Sequence, residues 1–172
     1  MSPEAPPVVL ARPAEPSDAA AAAAVLSASR RAAEDAGAIP AGVHADAEVA
    51  HWFATEIMVS REVWVAEAAG QLVAVLVLAD SWLDHLYVLP DHVGRGIGST
   101  LLSLAKALRP GGFDLWVFQT NAAALRFYLR RGLVEVERTG GAGNEERAPD
   151  IRLRWPAWST ASVGPGRHHR SA

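Results

Sequence analysis

The residues best suited to chemistry are three glycines at alternate positions, Gly94, Gly96 and Gly98, which lie between a strand-like run and a helix-like run. The strand-like run should end at Pro90, because proline has no N–H to donate to a β-ladder. The first N–H groups of a helix have no internal acceptor and lie at the positive end of its dipole, and glycine allows a close backbone approach. The pattern predicts an anion seat, formed by residues 93–99, for a phosphate or pyrophosphate. The alternative is a turn whose glycines serve chain geometry alone.

The anion seat does not fit the common nucleotide motifs. It lacks the Lys-Ser/Thr ending of a P-loop, and Ser99 stands where the dinucleotide fingerprint has its third glycine. The run from Val93 to Gly98 instead resembles the acyl-CoA loop, Gln/Arg-x-x-Gly-x-Gly/Ala, of the GCN5-related N-acetyltransferase (GNAT) superfamily. Gly96 and Gly98 fit that pattern, whereas Val93 departs from it but keeps its backbone N–H.

The resemblance implies that acetyl-CoA is the cosubstrate and that no metal is needed. Its pyrophosphate would be bound by the residues of the anion seat, which are Val93, Gly94, Arg95, Gly96, Ile97, Gly98 and Ser99. The side chain of Arg95 would either add positive charge there or face solvent.

A second motif begins at Asn121 and ends at Leu133. By residue type alone, Asn121 is a helix N-cap and Tyr128 an amphipathic surface residue. The order Asn-x-x-Ala-x-x-Phe-Tyr-x-x-x-Gly-Leu, however, is similar to the second GNAT signature. This resemblance implies that Asn121 contacts the pantetheine arm and that Tyr128 donates a proton to the departing CoA thiolate.

The reaction implied by both motifs is acyl transfer from acetyl-CoA to an amine. It needs a neutral amine, a polarised thioester carbonyl and a stabilised thiolate. By the same resemblance, backbone groups of Leu86, Tyr87 and Val88 would bind the pantetheine arm, and the N–H of Val88 would polarise the carbonyl. The chain contains no cysteine to carry an acyl group, so we expect direct attack in a ternary complex. The alternatives are a catalytically silent acyl-CoA-binding module or sensor, and a nucleotide-binding protein.

The catalytic base is predicted on the strand before the anion seat. Asp84 lies in an apolar run, where burying a carboxylate costs free energy unless it is paired or has a catalytic use. Its placement resembles that of the catalytic aspartate of aminoglycoside 6′-N-acetyltransferases. Strand alternation puts Trp82, Asp84, Leu86 and Val88 on one face. His85, the other candidate base, would then lie on the opposite face. The alternative for Asp84 is a structural role, in which its carboxylate is paired by a salt bridge or hydrogen bond.

The acceptor amine is expected to meet residues from two other regions. Trp52, on a predicted helix, and Glu145 and Glu146, in a late charged loop, are candidate substrate-binding residues together with Asp84. The two glutamates would attract a cationic substrate, although solvated loop charges and a core tryptophan are the plainer interpretations. The residues do not identify the acceptor.

Composition limits the class of protein. The chain has 172 residues, half of them hydrophobic, and a formal net charge of −3, which argues against a nucleic-acid partner. It has no signal-peptide pattern and no long apolar run, so we expect a cytoplasmic protein without a membrane partner. A homodimer is a further expectation.

The predicted fold class is α/β, with the GNAT fold. Its order, β-α-α-β-β-β-α-β-α-β-β, gives a mixed central sheet of about seven strands flanked by about four helices. We expect residues 1–155 to form the domain and residues 156–172, including His168 and His169, to form a disordered tail. The predicted strands cover 8–10, 63–67, 72–78, 82–89, 113–118, 133–138 and 150–155, and the predicted helices 19–36, 46–58, 101–108 and 121–131.

Overall fold

Seven strands and four helices form the part of the chain that the computed structural model describes, residues 8–156. The strands are β1 (Val9–Pro13), β2 (Glu62–Ala68), β3 (Gln71–Leu78), β4 (Leu83–Val88), β5 (Phe113–Phe118), β6 (Val134–Thr139) and β7 (Asp150–Trp155). The helices are α1 (Ala19–Asp35), α2 (Asp46–Trp52), α3 (Ile97–Leu108) and α4 (Ala122–Leu129). After α2 the chain continues through a π-helical turn, Phe53–Ile57, and a last α-helical turn, Met58–Ser60. The predicted tail and its two histidines lie outside the described residues, apart from Pro156.

The strands form two antiparallel sheets, ordered β1-β2-β3-β4 and β5-β7-β6. The sheets meet at a parallel bridge between Trp82 and Asp114, where the N–H of Asp114 donates to the carbonyl of Ser81 at 3.0 Å. No further pairing joins β4 to β5 within residues 8–156, so β4 has an unpaired edge beyond Trp82. The predicted α/β fold class is confirmed, but the expected central sheet is divided at this point.

The helices cover both faces of the four-stranded sheet. Helices α1 and α2 pack on one face, where they bury Val75 and Val77 of β3. Helices α3 and α4 pack on the other face with the second sheet, where they bury Leu76 and Leu78. The sequence of strand β3 is a nearly continuous apolar run, because both faces of this strand are covered. Within residues 8–156, no helix combines the length and the apolarity needed to cross a bilayer.

Strand β4 departs from simple alternation at Asp84. His85 pairs with Val77 and Leu83 pairs with Leu78, so Asp84 is the extra residue of a β-bulge. Leu83 therefore packs in the same core as Leu86 and Val88. Simple alternation would put Leu83 on the face opposite Leu86 and Val88, and the one inserted residue at Asp84 reverses that alternation before His85.

Candidate functional site

The anion seat is a run of unpaired backbone donors. Gly94 and Gly96 have φ of +79° and +82°, the left-handed region that favours glycine, and Gly96 is the N-cap of α3 without a side-chain cap. Within residues 8–156, the amide N–H groups from Gly94 to Ser99 donate to no protein acceptor. Six consecutive amides beside a helix N-terminus suit an anion.

Gly98 has a different role from the other two glycines. A Cβ at this position would lie 3.4 Å from Cζ of Phe127 and 3.8 Å from Cγ2 of Val88. These are ordinary van der Waals distances, so Gly98 lies against α4 and β4 at a position where an alanine would also fit. Only Gly94 and Gly96 have the left-handed backbone that favours glycine.

Two members of the anion seat have protein partners. The N–H of Val93 donates to the carbonyl of Pro90 at 3.3 Å, so the free donors begin at Gly94. Val93 itself is 65% exposed. The hydroxyl of Ser99 accepts hydrogen bonds from Nη2 and Nε of Arg131, at 2.6 and 3.1 Å. Arg95 is exposed.

Arg131 is a residue that sequence reasoning missed. Its guanidinium stacks 4.0 Å from the ring centroid of Phe127 and places a full positive charge beside the first turn of α3. Its position directly before Gly132, at the end of the second motif, is the only sequence signal for it. The charge adds to the positive potential around the free amides from Gly94 to Ser99, which suits an anion.

The unpaired edge of β4 carries the donors expected to meet the thioester. Val88 faces Ala74, and the N–H of Leu89 donates to Val73 at 2.8 Å. Val88 is therefore in a non-hydrogen-bonded pair, and its own N–H points away from β3. By the two-residue repeat, Leu86 points the same way. The carbonyl of Val88 accepts from Oγ of Ser29 at 3.0 Å.

Tyr87 does not fit the backbone role implied by the sequence. It pairs with Val75, and the alternation turns its backbone groups toward β3. Its side chain packs instead on the α1 side of the sheet. Burial raises the pKa of the Tyr87 phenol, and the nearby Arg30 opposes that shift.

The second motif is placed by α4. Oδ1 of Asn121 accepts from the N–H of Ala124 at 3.1 Å, which confirms the N-cap and leaves the Asn121 amide nitrogen for another acceptor. Tyr128 is 8% exposed and meets the ring of Phe127 edge-on, with centroids 5.1 Å apart. Burial raises the pKa of Tyr128 well above its ordinary value, and Tyr87 acts in the same direction. Tyr128 therefore keeps its proton at neutral pH.

A cavity of about 720 Å³ lies on the other side of β4, between α1, α2 and the loop that joins β6 to β7. We call the cavity the α1–β4 cavity and this loop, residues 140–149, the late loop. The predicted substrate-binding residues Trp52, Glu145 and Glu146 all line it, and so does His85. Asp84 is not among its lining residues.

Polar side-chain contacts connect the late loop to α1 and to the loop that follows α1. Nη2 of Arg30 lies 3.0 Å from Oε1 of Glu146, and Nε2 of His44 lies 3.1 Å from Oε2 of Glu145. Five carboxylates and two guanidinium groups line the α1–β4 cavity, so negative charge is in excess. The carboxylates are those of Glu34, Asp46, Glu48, Glu145 and Glu146.

The two candidate bases differ in their surroundings. Oδ2 of Asp84 accepts from Nε of Arg61 at 2.7 Å, the paired state that sequence reasoning left open. The ring of His85 lies edge-on to Trp52, with centroids 5.7 Å apart, and stacks on Tyr87 at 5.9 Å. Burial lowers the pKa of His85 to about 4; Asp84 opposes this shift, and Arg30 and Arg61 add to it.

The comparisons with known proteins point to one family. The model of the acetyltransferase (GNAT) domain matches residues 59–135. An uncharacterised N-acetyltransferase of Archaeoglobus fulgidus is 35% identical over an alignment of 98 residues, which covers 48% of this chain and 66% of the relative. The peptidyl-lysine N-acetyltransferase YiaC of Escherichia coli is 31% identical over 98 residues, which are 56% of this chain and 65% of YiaC. The matched region thus spans slightly less than two thirds of each curated relative.

A solved structure has the same fold. It is yncA of Salmonella typhimurium with its cofactor acetyl-CoA, with a TM-score of 0.65 and 21% identity. The similarity covers 92% of this chain and 99% of that one.

Proposed function

The chain belongs to the GCN5-related N-acetyltransferase superfamily, and on that premise we propose that it transfers an acetyl group from acetyl-CoA to a primary amine. The observation that carries the proposal is the run of six unpaired amides from Gly94 to Ser99. It lies next to the unpaired edge of β4, so a diphosphate and a thioester arm have adjacent partners.

The cosubstrate is proposed to bind along α3, β4 and α4. The amides of the anion seat hold its diphosphate, with Arg131 adding charge. The N–H groups of Leu86 and Val88 and the amide nitrogen of Asn121 bind the pantetheine arm. The Val88 N–H polarises the thioester carbonyl, because a donor aimed at the developing oxyanion lowers the barrier to acyl transfer.

The amine is proposed to enter from the α1–β4 cavity. Its excess of carboxylates favours a cationic amine near the mouth, and Trp52 offers an apolar wall. Glu145 and Glu146 are part of that negative surface. Attack forms a C–N bond and breaks the C–S bond, and Tyr128 gives its proton to the sulfur. The sequence prediction that Asp84 accepts the proton of the amine is tested below.

Two measurements test the proposal. Calorimetry with acetyl-CoA should give a saturable heat, with inorganic pyrophosphate as a weaker competitor. A thiol-release assay with polyamines, amino acids and a lysine peptide should then give CoA, and mass spectrometry should show one acetyl group on the amine. Absence of acetyl-CoA binding contradicts the proposal. Binding without turnover on any amine would favour the acyl-CoA-binding module instead.

A further inference from the structure

We propose that His85, rather than Asp84, accepts the proton released by the attacking amine. The inference rests on the proposed acetyl transfer. It starts from the different surroundings of these two neighbouring residues at the β-bulge of β4. His85 lines the α1–β4 cavity, whereas Asp84 does not and is held by Arg61.

The ring of His85 is fixed but its nitrogens are free. Trp52 and Tyr87 pack against it from two directions, which limits its rotation. Within residues 8–156, neither ring nitrogen forms a hydrogen bond to protein. A restrained imidazole that lines a cavity and has no protein partner is available to a ligand nitrogen.

The charges around His85 keep it neutral before the reaction. Asp84 precedes it on β4, Arg61 lies directly before β2, and Arg30 faces it from α1. The two cations and burial outweigh the aspartate, so the imidazole is unprotonated at neutral pH. After it accepts a proton, Asp84 is the carboxylate close enough to stabilise the imidazolium.

The proton balance of the step is complete. The bound ammonium first releases one proton to solvent at the mouth of the α1–β4 cavity. The neutral amine nitrogen then forms a bond to the acetyl carbon and loses a second proton to a ring nitrogen of His85. The C–S bond breaks, and the sulfur takes the phenolic proton of Tyr128. The imidazolium and the phenolate then return to their starting states by proton exchange through solvent, so no further reactant is needed.

The experiment compares three variants on an amine that the wild-type protein acetylates. His85→Gln should lower kcat on the order of 100-fold, as expected for loss of a general base, while calorimetry shows unchanged acetyl-CoA affinity. His85→Ala should regain activity as imidazole is added to the assay. His51→Gln, an exposed histidine on α2, is the matched control and should keep wild-type kcat.

Asp84→Asn separates the two candidates. It removes a charge that raises the pKa of His85, so the acidic limb of the pH profile of kcat should move to lower pH. Because Asp84 also stabilises the imidazolium, kcat at neutral pH should fall, but by much less than in His85→Gln. Loss of turnover in Asp84→Asn, with undiminished kcat in His85→Gln, would overturn the inference and return the role to Asp84. Failure of imidazole to rescue His85→Ala would also count against it. An inactive wild-type protein would instead overturn the proposed function itself.

Discussion

Replacing Gly96 by alanine tests whether the backbone of the anion seat binds the cosubstrate. Gly96 has φ of +82°, and a Cβ there would meet nothing within 4 Å. The substitution therefore adds strain without a steric clash. A residue with a side chain in the left-handed region costs about 1–2 kcal/mol. Since the loop at Gly94–Gly96 is exposed, the free protein can relax and turn its amides away.

Binding must then restore the strained conformation. The cost of about 1–2 kcal/mol appears in the binding free energy, which corresponds to roughly 5- to 30-fold weaker acetyl-CoA binding. Any strain that remains in the free protein lowers its melting temperature, by about 2–4 °C per kcal/mol for a chain of this size. Isothermal calorimetry and a thermal melt measure the two effects.

Gly70→Ala is the matched control. Gly70 has φ of +76°, also has nothing within 4 Å of an added Cβ, and lies in the turn between β2 and β3, outside the anion seat. Its replacement should lower the melting temperature and leave acetyl-CoA affinity unchanged. If Gly96→Ala also bound acetyl-CoA with wild-type affinity, the amide geometry described here would not be what holds the diphosphate.

Three further outcomes are expected. Tyr128→Phe should lower kcat on the order of 100-fold, because the protonated phenol of Tyr128 is the proposed proton donor to the sulfur. A thiol-release assay measures kcat, and calorimetry should show little change in acetyl-CoA affinity. An undiminished kcat would exclude Tyr128 as the acid. Gly141→Ala should raise the KM for the amine and spare acetyl-CoA binding, since a Cβ there would lie 2.4 Å from the facing backbone of the late loop. Gly143→Ala, which has open space, is its control, and equal KM values in the two variants would contradict the argument. The guanidinium of Arg154 is the largest cause that holds the pKa of Asp114 below its ordinary value of 3.8. The ionised Asp114 therefore stabilises the folded state in full above pH 3.8, and this stabilisation is lost as the pH falls through the lower pKa of Asp114 in the folded protein. Asp114→Asn should lower the free energy of unfolding by about 2 kcal/mol at neutral pH and flatten its acid dependence in urea melts; an unchanged slope would contradict the assignment.

Local patterns predicted the helices and strands and the free amides that open α3, because the causes of these features are local. Helical spacing after Gly98 and the strand-ending Pro90 fix α3 and β4 with little help from the rest of the chain. The left-handed glycines at Gly94 and Gly96 follow from a turn that opens a helix. The N-cap role of Asn121 was likewise predictable from residue type alone.

Contacts between distant positions were not predictable in this way. The β-bulge at Asp84 depends on the pairing of β4 with β3, and alternation along one strand cannot reveal an inserted residue. Arg131 reaches Ser99 across 32 positions, and Arg30 reaches Glu146 across 116. Such pairs depend on the three-dimensional arrangement of α1, α4 and the loops, so their partners have no shared signal in the sequence.

The walls of the α1–β4 cavity and the anion seat come from different parts of the chain. The anion seat is one continuous segment, whereas the cavity joins α1, the α1–α2 loop and the late loop, with His85 of β4 behind them. Under the proposed function, substitutions at Arg30, Trp52 or Glu146 would change which amine is accepted and leave the binding of the acyl donor intact. Acceptor preference would then be adjustable by loop grafting in the laboratory.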